Sequence, residues 1–227
     1  MTDLSRTVIL DLDGTLADTG ADLIAAANAC FRDMGEGAPL DPVRDKATAF
    51  RGGRAMLRLG FERTRGAWSE AEIDPWYDPL LRHYEAHIDD ETVLYPGAMD
   101  AVRAMTARGW PVGICTNKPE ALAVMLLDRL GVREAFGALV GADRLAVRKP
   151  HPDHYRAAVL ECGGDLSRSV MVGDTSTDRE TARQAGVPSI LVAFGPEGED
   201  VARLEPDALL LHYDDLIGLV ERLIPAA

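Results

Sequence analysis

Lysine is nearly missing from this chain of 227 residues. Only Lys46, Lys118 and Lys149 are lysines among its 24 basic residues, and the rest are arginines. Where a generic cation suffices the chain uses Arg, so each Lys marks a place suited to a compact ammonium rather than a planar fork. Cysteine is equally sparse. Cys30, Cys115 and Cys162 form an odd set without paired spacing, which excludes a disulfide framework or a zinc site and suits a reducing cytoplasm. No apolar run is long enough to span a bilayer. The opening residues Met1–Arg6 carry no signal-peptide pattern, because the first apolar run is short and ends in Asp11. Positive charge is also in deficit. A net charge of −13 repels phosphate backbones and anionic lipid, so neither nucleic acid nor a membrane surface is expected as a partner. Repeats and low-complexity segments are absent. The expectation is a cytoplasmic protein, monomer or homodimer, acting on a small molecule.

What is present is a globular composition, 47% hydrophobic and 27% charged, able to bury a core. The chain is organised around Thr7–Leu16. Thr7-Val8-Ile9-Leu10 reads as a buried strand, stopped by Asp11 and Asp13. Alternate residues of an extended chain face one side, and Gly14 permits a sharp turn. Two adjacent carboxylates at a strand end repel each other, so a hard divalent cation with oxygen ligands is expected there.

From residue 18 to about 90 the pattern is helical. Leu23, Ile24, Ala27 and Phe31 recur at helical spacing, and Asp41-Pro42 reads as an N-cap with Pro in the first turn. Ser69–Glu72 has capping-box spacing, followed by the apolar stripe Trp76, Leu80, Leu81 and Tyr84. Beyond Tyr95 the texture alternates. Strands are expected at 110–115, 138–140, 169–173, 189–192 and 208–211, with helices between them. This alternation predicts an α/β fold: a Rossmann-like, doubly wound parallel sheet with an inserted all-helical cap. The expected boundaries are core 1–17, cap 18–92 and core 93–227.

Three of the expected strands end in Asp11/Asp13, Thr116/Asn117 and Gly173/Asp174. Parallel strands share one carboxyl edge, where ligands bind, so these residues are expected to converge. Asp11, Asp13 and Asp174 suit Mg²⁺, and Asp178 follows Asp174 by one helical turn. Thr116-Asn117-Lys118-Pro119 offers a hydroxyl and N–H groups at a helix start, a setting that binds phosphate oxygens. Lys149 can offset the charge of a phosphate and of an acidic nucleophile. In the helical insertion, Phe50-Arg51-Gly52-Gly53-Arg54 combines close backbone approach with two guanidinium groups suited to a carboxylate.

These motifs resemble the haloacid dehalogenase superfamily of phosphohydrolases over the whole chain. Asp11-Leu12-Asp13-Gly14-Thr15-Leu16 is similar to its first motif, Thr116-Asn117 to the second, Lys149-Pro150 to the third and Gly173–Asp178 to the fourth. The insertion resembles that of the helical-cap subclass. Thr116–Pro119 and Lys149–Asp153 look most like its phosphoglycolate phosphatase group, which usually has a small residue where Arg51 stands. The resemblance implies a Mg²⁺-dependent phosphatase for a small monoester, with 2-phosphoglycolate favoured. Asp11 would be the nucleophile and Asp13 the acid and base. Asp11, Asp174 and the Asp13 carbonyl would hold the metal, with Asp178 behind them. Thr116, Asn117 and Lys149 would grip the phosphoryl group; Lys118, Arg51, Gly52, Gly53 and Arg54 complete the expected substrate contacts. The alternatives are a sugar-phosphate phosphatase or mutase, a phosphonate hydrolase with Lys46 as its cap lysine, or a silent binding module. A dehalogenase is disfavoured because Asp13 is present.

Overall fold

A computed structural model describes residues 6–226. Most of what was read at the N-terminus, Met1–Ser5, lies outside the described residues. The chain runs β1 (Thr7–Leu10), β2 (Ala17–Asp18), α1 (Gly20–Asp33), α2 (Lys46–Ala49), α3 (Gly53–Arg65), α4 (Glu70–Ala86) and β3 (Val93–Leu94). It continues through α5 (Ala98–Ala107), β4 (Val112–Cys115), α6 (Glu120–Arg129), β5 (Ala138–Val140) and α7 (Pro152–Glu161). It ends with β6 (Ser169–Gly173), α8 (Ser176–Ala185), β7 (Ser189–Val192), β8 (Ala208–Leu210) and α9 (Leu216–Leu223). Two compact units result: one from the chain up to Ala17 and from Leu94 onward, the other from Asp18–Val93.

The first unit is built on a six-stranded sheet of order β5-β4-β1-β6-β7-β8, parallel throughout. Branched, unbroken apolar strands form it because both faces are covered. Ile9, Cys115, Val140 and Met171 pack with Tyr155, Ala158 and Val159 of α7 and Ala182 of α8. Val8 and Leu10 point the other way and are just as buried. The order reverses at β1, whose neighbours β4 and β6 lead to opposite edges of the sheet. That is the switch point at which open α/β sheets leave a crevice beyond the strand ends. Register aligns the ends, since Leu10 pairs with both Ile114 and Val172.

The second unit is helical, with Ile24, Phe31, Met56, Leu57, Phe61, Ile73 and Leu80 in its core. Asp22, buried at the start of α1, accepts from the Glu91 N–H at 3.0 Å and the Thr92 hydroxyl at 2.7 Å. This ties the beginning of the unit to its end. The Ser69–Glu72 capping box forms, and α4 continues through Pro75 and Pro79. Each proline forfeits one main-chain hydrogen bond, and burial of Ile73, Leu80 and Tyr84 holds the helix together. At Asp41-Pro42 the expectation needs correction. Asp41 does accept from the Val43 and Arg44 N–H groups, but it caps an isolated turn. The helix starts later, at Lys46, with Asp45 as its N-cap. Asp45 is drawn away to the Arg63 guanidinium, which reaches both its oxygens.

Gly60 in α3 sits against Phe31, and a Cβ there would lie 2.1 Å from the ring. That ring is fully buried and packs edge-on against Phe61 with centroids 5.6 Å apart. Gly60→Ala gains about 1 kcal/mol in helix propensity but overpacks the core at a cost of about 1–3 kcal/mol. A net destabilisation of about 1 kcal/mol is expected in denaturant unfolding, reversed when Phe31→Leu is added. A stabilised single variant would show that Phe31 has room to move.

Candidate active site

The carboxyl ends of β1, β4 and β6 bring together the residues that the sequence separates. Asp11 follows β1 directly, and its N–H donates to the Val172 carbonyl of β6 at 2.9 Å. The ladder therefore continues one residue past the strand and fixes the Asp11 backbone. One side-chain oxygen accepts from the Leu12 N–H at 2.7 Å. The other lies 2.9 Å from the Lys149 ammonium.

Lys149 is almost wholly buried, and it also donates to Asp178 Oδ1 at 2.7 Å. Burial alone works to lower its pKa, but Asp11 and Asp178 outweigh it and hold the ammonium charged. Asp178 is the N3 residue of a capping box that opens α8 at Thr175. Its second oxygen accepts from the Asp174 N–H at 3.2 Å, the Thr175 N–H at 3.0 Å and the Thr175 hydroxyl at 2.7 Å. Protein donors thus occupy both oxygens. Gly173 makes the space, since a Cβ there would stand 2.3 Å from the Asp178 side chain.

Asp174 faces the site from the end of β6. Its Oδ1 accepts from the Thr15 hydroxyl at 3.2 Å. Its Oδ2 lies where a Cβ on Gly14 would approach to 2.2 Å. Gly14 also has φ +79°, so both backbone conformation and close approach require glycine there.

Asp13 is partly exposed and receives the Lys118 ammonium on Oδ1 at 2.7 Å. Lys118, placed among the substrate contacts on sequence grounds, is thereby brought onto the second carboxylate of the first motif. Thr116 is buried after β4, and its hydroxyl accepts from the Lys118 N–H at 3.2 Å. The Asn117 amide donates to the Lys149 carbonyl at 3.1 Å and so braces the loop that carries the ammonium. The Lys149–Pro150 peptide is cis. Behind these residues, His154 Nε2 bonds the Gly141 carbonyl at 2.9 Å, leaving Nδ1 to face the Cys115 thiol at 3.2 Å. Burial lowers the His154 pKa, so a neutral ring links the ends of β4 and β5.

The remaining expected residues lie in the helical unit. Gly52, at φ +96°, is the N-cap of α3, which no side chain caps. Gly53 packs against Leu80 and Tyr77. Arg54 pairs with Asp74 and lies over the Tyr77 ring at 4.9 Å. Arg51 is exposed.

Asp11, Asp174 and Asp178 form a carboxylate cluster whose oxygens lie within 4.8 Å of one another. One ammonium, Lys149, serves all three. Burial, opposed by Lys149 and reinforced by Asp178, pushes Asp11 up to about 6. Burial, Asp178 and Asp11 raise Asp174 well above the usual carboxylate range. Such a shortfall of positive charge is what a divalent cation would relieve. Asp11 and Asp174 fit it as ligands, whereas the four protein donors on Asp178 suit it to bracing.

Sequence reasoning missed three parts of this arrangement: the Thr15 hydroxyl on Asp174, the Lys118–Asp13 pair, and the capping box that turns Asp178 inward. The last was legible in principle, because Thr175-Ser176-Thr177-Asp178 has capping-box spacing.

Comparison with known proteins gives concordant results. The family model for haloacid dehalogenase-like hydrolases matches residues 5–186. A phosphoglycolate phosphatase of Agrobacterium fabrum is 40% identical over 225 residues, covering 97% of this chain and 95% of the relative. One from Mesorhizobium japonicum is 37% identical over 226 residues, covering 99% of each. Among solved structures, a predicted phosphoglycolate phosphatase from Haemophilus somnus 129PT superposes with a TM-score of 0.84 at 20% identity, covering 96% of this chain and 99% of that one. That likeness concerns the fold. Among the described residues, no helix is long and apolar enough to cross a membrane.

The raised carboxylates make stability depend on pH. A carboxyl group whose folded-state pKa lies above its unfolded value favours the fold at low pH, and that contribution fades as pH rises through the folded pKa. For Asp11 the window runs from about 4 up to about 6. The cation-free protein should therefore lose stability across this window. Millimolar divalent cation should raise Tm more at pH 7.5 than at pH 5, since the ligands must be deprotonated to bind. Thermal melts with chelator and with cation test this, and equal melting curves at pH 7.5 would remove the cation from the site.

Proposed function

Since the chain belongs to the haloacid dehalogenase-like hydrolase family, we propose that it is a Mg²⁺-dependent phosphatase acting on 2-phosphoglycolate through an aspartyl-phosphate. The observation that carries this reading is the setting of Asp11. It is a carboxylate at the end of the central strand with one oxygen held by a main-chain N–H and the other beside a buried ammonium.

Asp11 attacks phosphorus, its carboxylate oxygen forming a bond as the bond to the leaving oxygen breaks. Asp13 gives its proton to that oxygen, releasing glycolate. It then takes a proton from the water that attacks the aspartyl-phosphate and restores Asp11. Lys118 holds Asp13 in place through its 2.7 Å contact. Lys149, the Thr116 hydroxyl and Asn117 position the phosphoryl group, and positioning with electrostatics supplies most of the catalysis in phosphoryl transfer. Mg²⁺ would be held by the Asp11 and Asp174 carboxylates and the Asp13 carbonyl; when bound it offsets negative charge on the phosphoryl oxygens. Asp178 keeps Lys149 and the Asp174 backbone oriented from behind.

The substrate assignment draws on the relatives' names and on the chemistry of the insertion. 2-Phosphoglycolate carries a carboxylate at its other end. The Phe50–Arg54 turn is the proposed reader of that group, with Arg51 and the uncapped start of α3 at Gly52 and Gly53 as its donors. Arg54, which pairs with Asp74 and lies over the Tyr77 ring, is the second proposed donor.

Two sets of rates test this. Asp11→Asn should abolish turnover with the fold intact. Asp13→Asn should lose about 10²–10⁴-fold on 2-phosphoglycolate and less on an activated aryl phosphate, whose leaving group needs no proton. Wild-type turnover by Asp11→Asn would eliminate the covalent route.

Arg51→Ala should raise KM for 2-phosphoglycolate and spare an aryl phosphate. A lost charged hydrogen bond of about 1.5–3 kcal/mol corresponds to roughly 10–100-fold. Equal effects on both substrates would remove the carboxylate reader, and with it the local support for 2-phosphoglycolate over other monoesters.

A further inference from the structure

We infer that Tyr213 is a positioning residue for the cation site, acting through Thr15 to orient Asp174. The inference rests on the reading of Asp174 as a cation ligand and adds to it a residue far along the chain.

Tyr213 stands at the start of a short helical turn after β8. Its hydroxyl donates to the Thr15 carbonyl at 2.7 Å, across 198 residues of sequence. The Thr15 hydroxyl in turn donates to Asp174 Oδ1. The loop after β1 therefore carries a relay: the phenol fixes the main chain of Thr15, and the side chain of Thr15 fixes one carboxylate oxygen. The other oxygen of Asp174 is confined by Gly14.

The loop closes on its own main chain through the Thr15, Leu16 and Ala17 N–H groups, which all donate to the Leu12 carbonyl, whereas the Thr15 carbonyl is anchored from outside the loop, by Tyr213. The anchor itself is rigid. The Tyr213 ring is buried, packs on Phe194 with centroids 5.3 Å apart, and Phe194 packs on Tyr95 at 4.9 Å. Tyr95 also donates its N–H to the Leu16 carbonyl at 3.0 Å. Consecutive carbonyls of the loop, Thr15 and Leu16, are thus held from one aromatic cluster. Burial pushes the Tyr213 hydroxyl pKa up, so it remains a donor at neutral pH. Groups that orient a metal ligand from behind set cation affinity even though they never touch the ion.

The experiment measures Mg²⁺ binding directly, by calorimetric titration of the chelator-stripped full chain, with melting curves recorded in parallel. Tyr213→Phe keeps the ring contacts and deletes only the hydroxyl. It is expected to weaken Mg²⁺ binding about 10-fold. Thr15→Val should weaken it comparably, and the double variant should bind no worse than Thr15→Val alone, because both act on one relay. Phe194→Leu loosens the ring cluster without touching the hydroxyl. It should lower Tm and weaken Mg²⁺ binding by clearly less than Tyr213→Phe does, since the cluster steadies the ring but the hydroxyl still donates to Thr15. Wild-type Mg²⁺ affinity in Tyr213→Phe, or an equal loss in Phe194→Leu, would overturn the inference and reduce Tyr213 to a packing residue. If Tyr213→Phe does not fold, Thr15→Val decides: wild-type affinity there overturns the relay. Failure of the wild-type protein to bind Mg²⁺ at all would overturn the cation reading and the relay together, and is distinguishable from the other outcomes by that fact.

Discussion

The ammonium of Lys149, buried between Asp11 and Asp178, is the contact on which the site depends. Without it Asp11, Asp174 and Asp178 would form a buried carboxylate cluster with no ammonium in contact with it, a state that burial makes costly. Its position also dictates the roles around it. Asp178 balances the ammonium from behind and is itself saturated by the capping box of α8, which leaves Asp11 with an oxygen held but not consumed. A strand end, a helix start and a loop lysine are joined in one electrostatic unit. The sheet register, in which Leu10 sits level with both Ile114 and Val172, is what allows them to meet.

The scarcity of lysine takes on meaning in this light. Each of the three lysines is paired with aspartate: Lys149 with Asp11 and Asp178, Lys118 with Asp13, and Lys46 with Asp18. The first two are nearly enclosed, with side chains 1% and 3% exposed. A guanidinium has a broader, planar head and a fixed fork, and it needs more room than these enclosed ammonium groups occupy. The arginines serve where breadth helps, as when Arg63 spans both oxygens of Asp45 or Arg58 both oxygens of Glu70.

Much of this was legible in the sequence, for reasons that differ by element. The strands 138–140, 169–173 and 189–192 coincide with β5, β6 and β7, because short branched runs bounded by Gly, Asp or Pro leave few alternatives. Convergence of Asp11 and Asp174 followed from the rule that parallel strands share one carboxyl edge, whereas Lys149 stood out through the scarcity of lysine. What stayed hidden depended on packing between distant segments. Nothing near Asp13 in the chain announces Lys118, 105 residues away. Nothing near Thr15 announces Tyr213. Asp41-Pro42 misled for a local reason: the cap geometry is real, but Asp45 is engaged by Arg63, and the chain turns before the helix begins.

The insertion leaves the sheet unit at Ala17–Asp18 and returns at Val93–Leu94, and those two strands pair with each other as a separate ribbon. Departure and return thus occur at one spot, outside the six-stranded ladder. A segment attached in this way can lengthen, shorten or be replaced wholesale without shifting the pairing of any core strand. The hydrolytic machinery and the element proposed to choose the substrate can therefore change at different rates over evolutionary time. On the proposed reading of the insertion as the substrate reader, rewriting Asp18–Val93 alone opens new specificities, while the carboxylates, ammonium groups and glycines of the strand ends stay as they are.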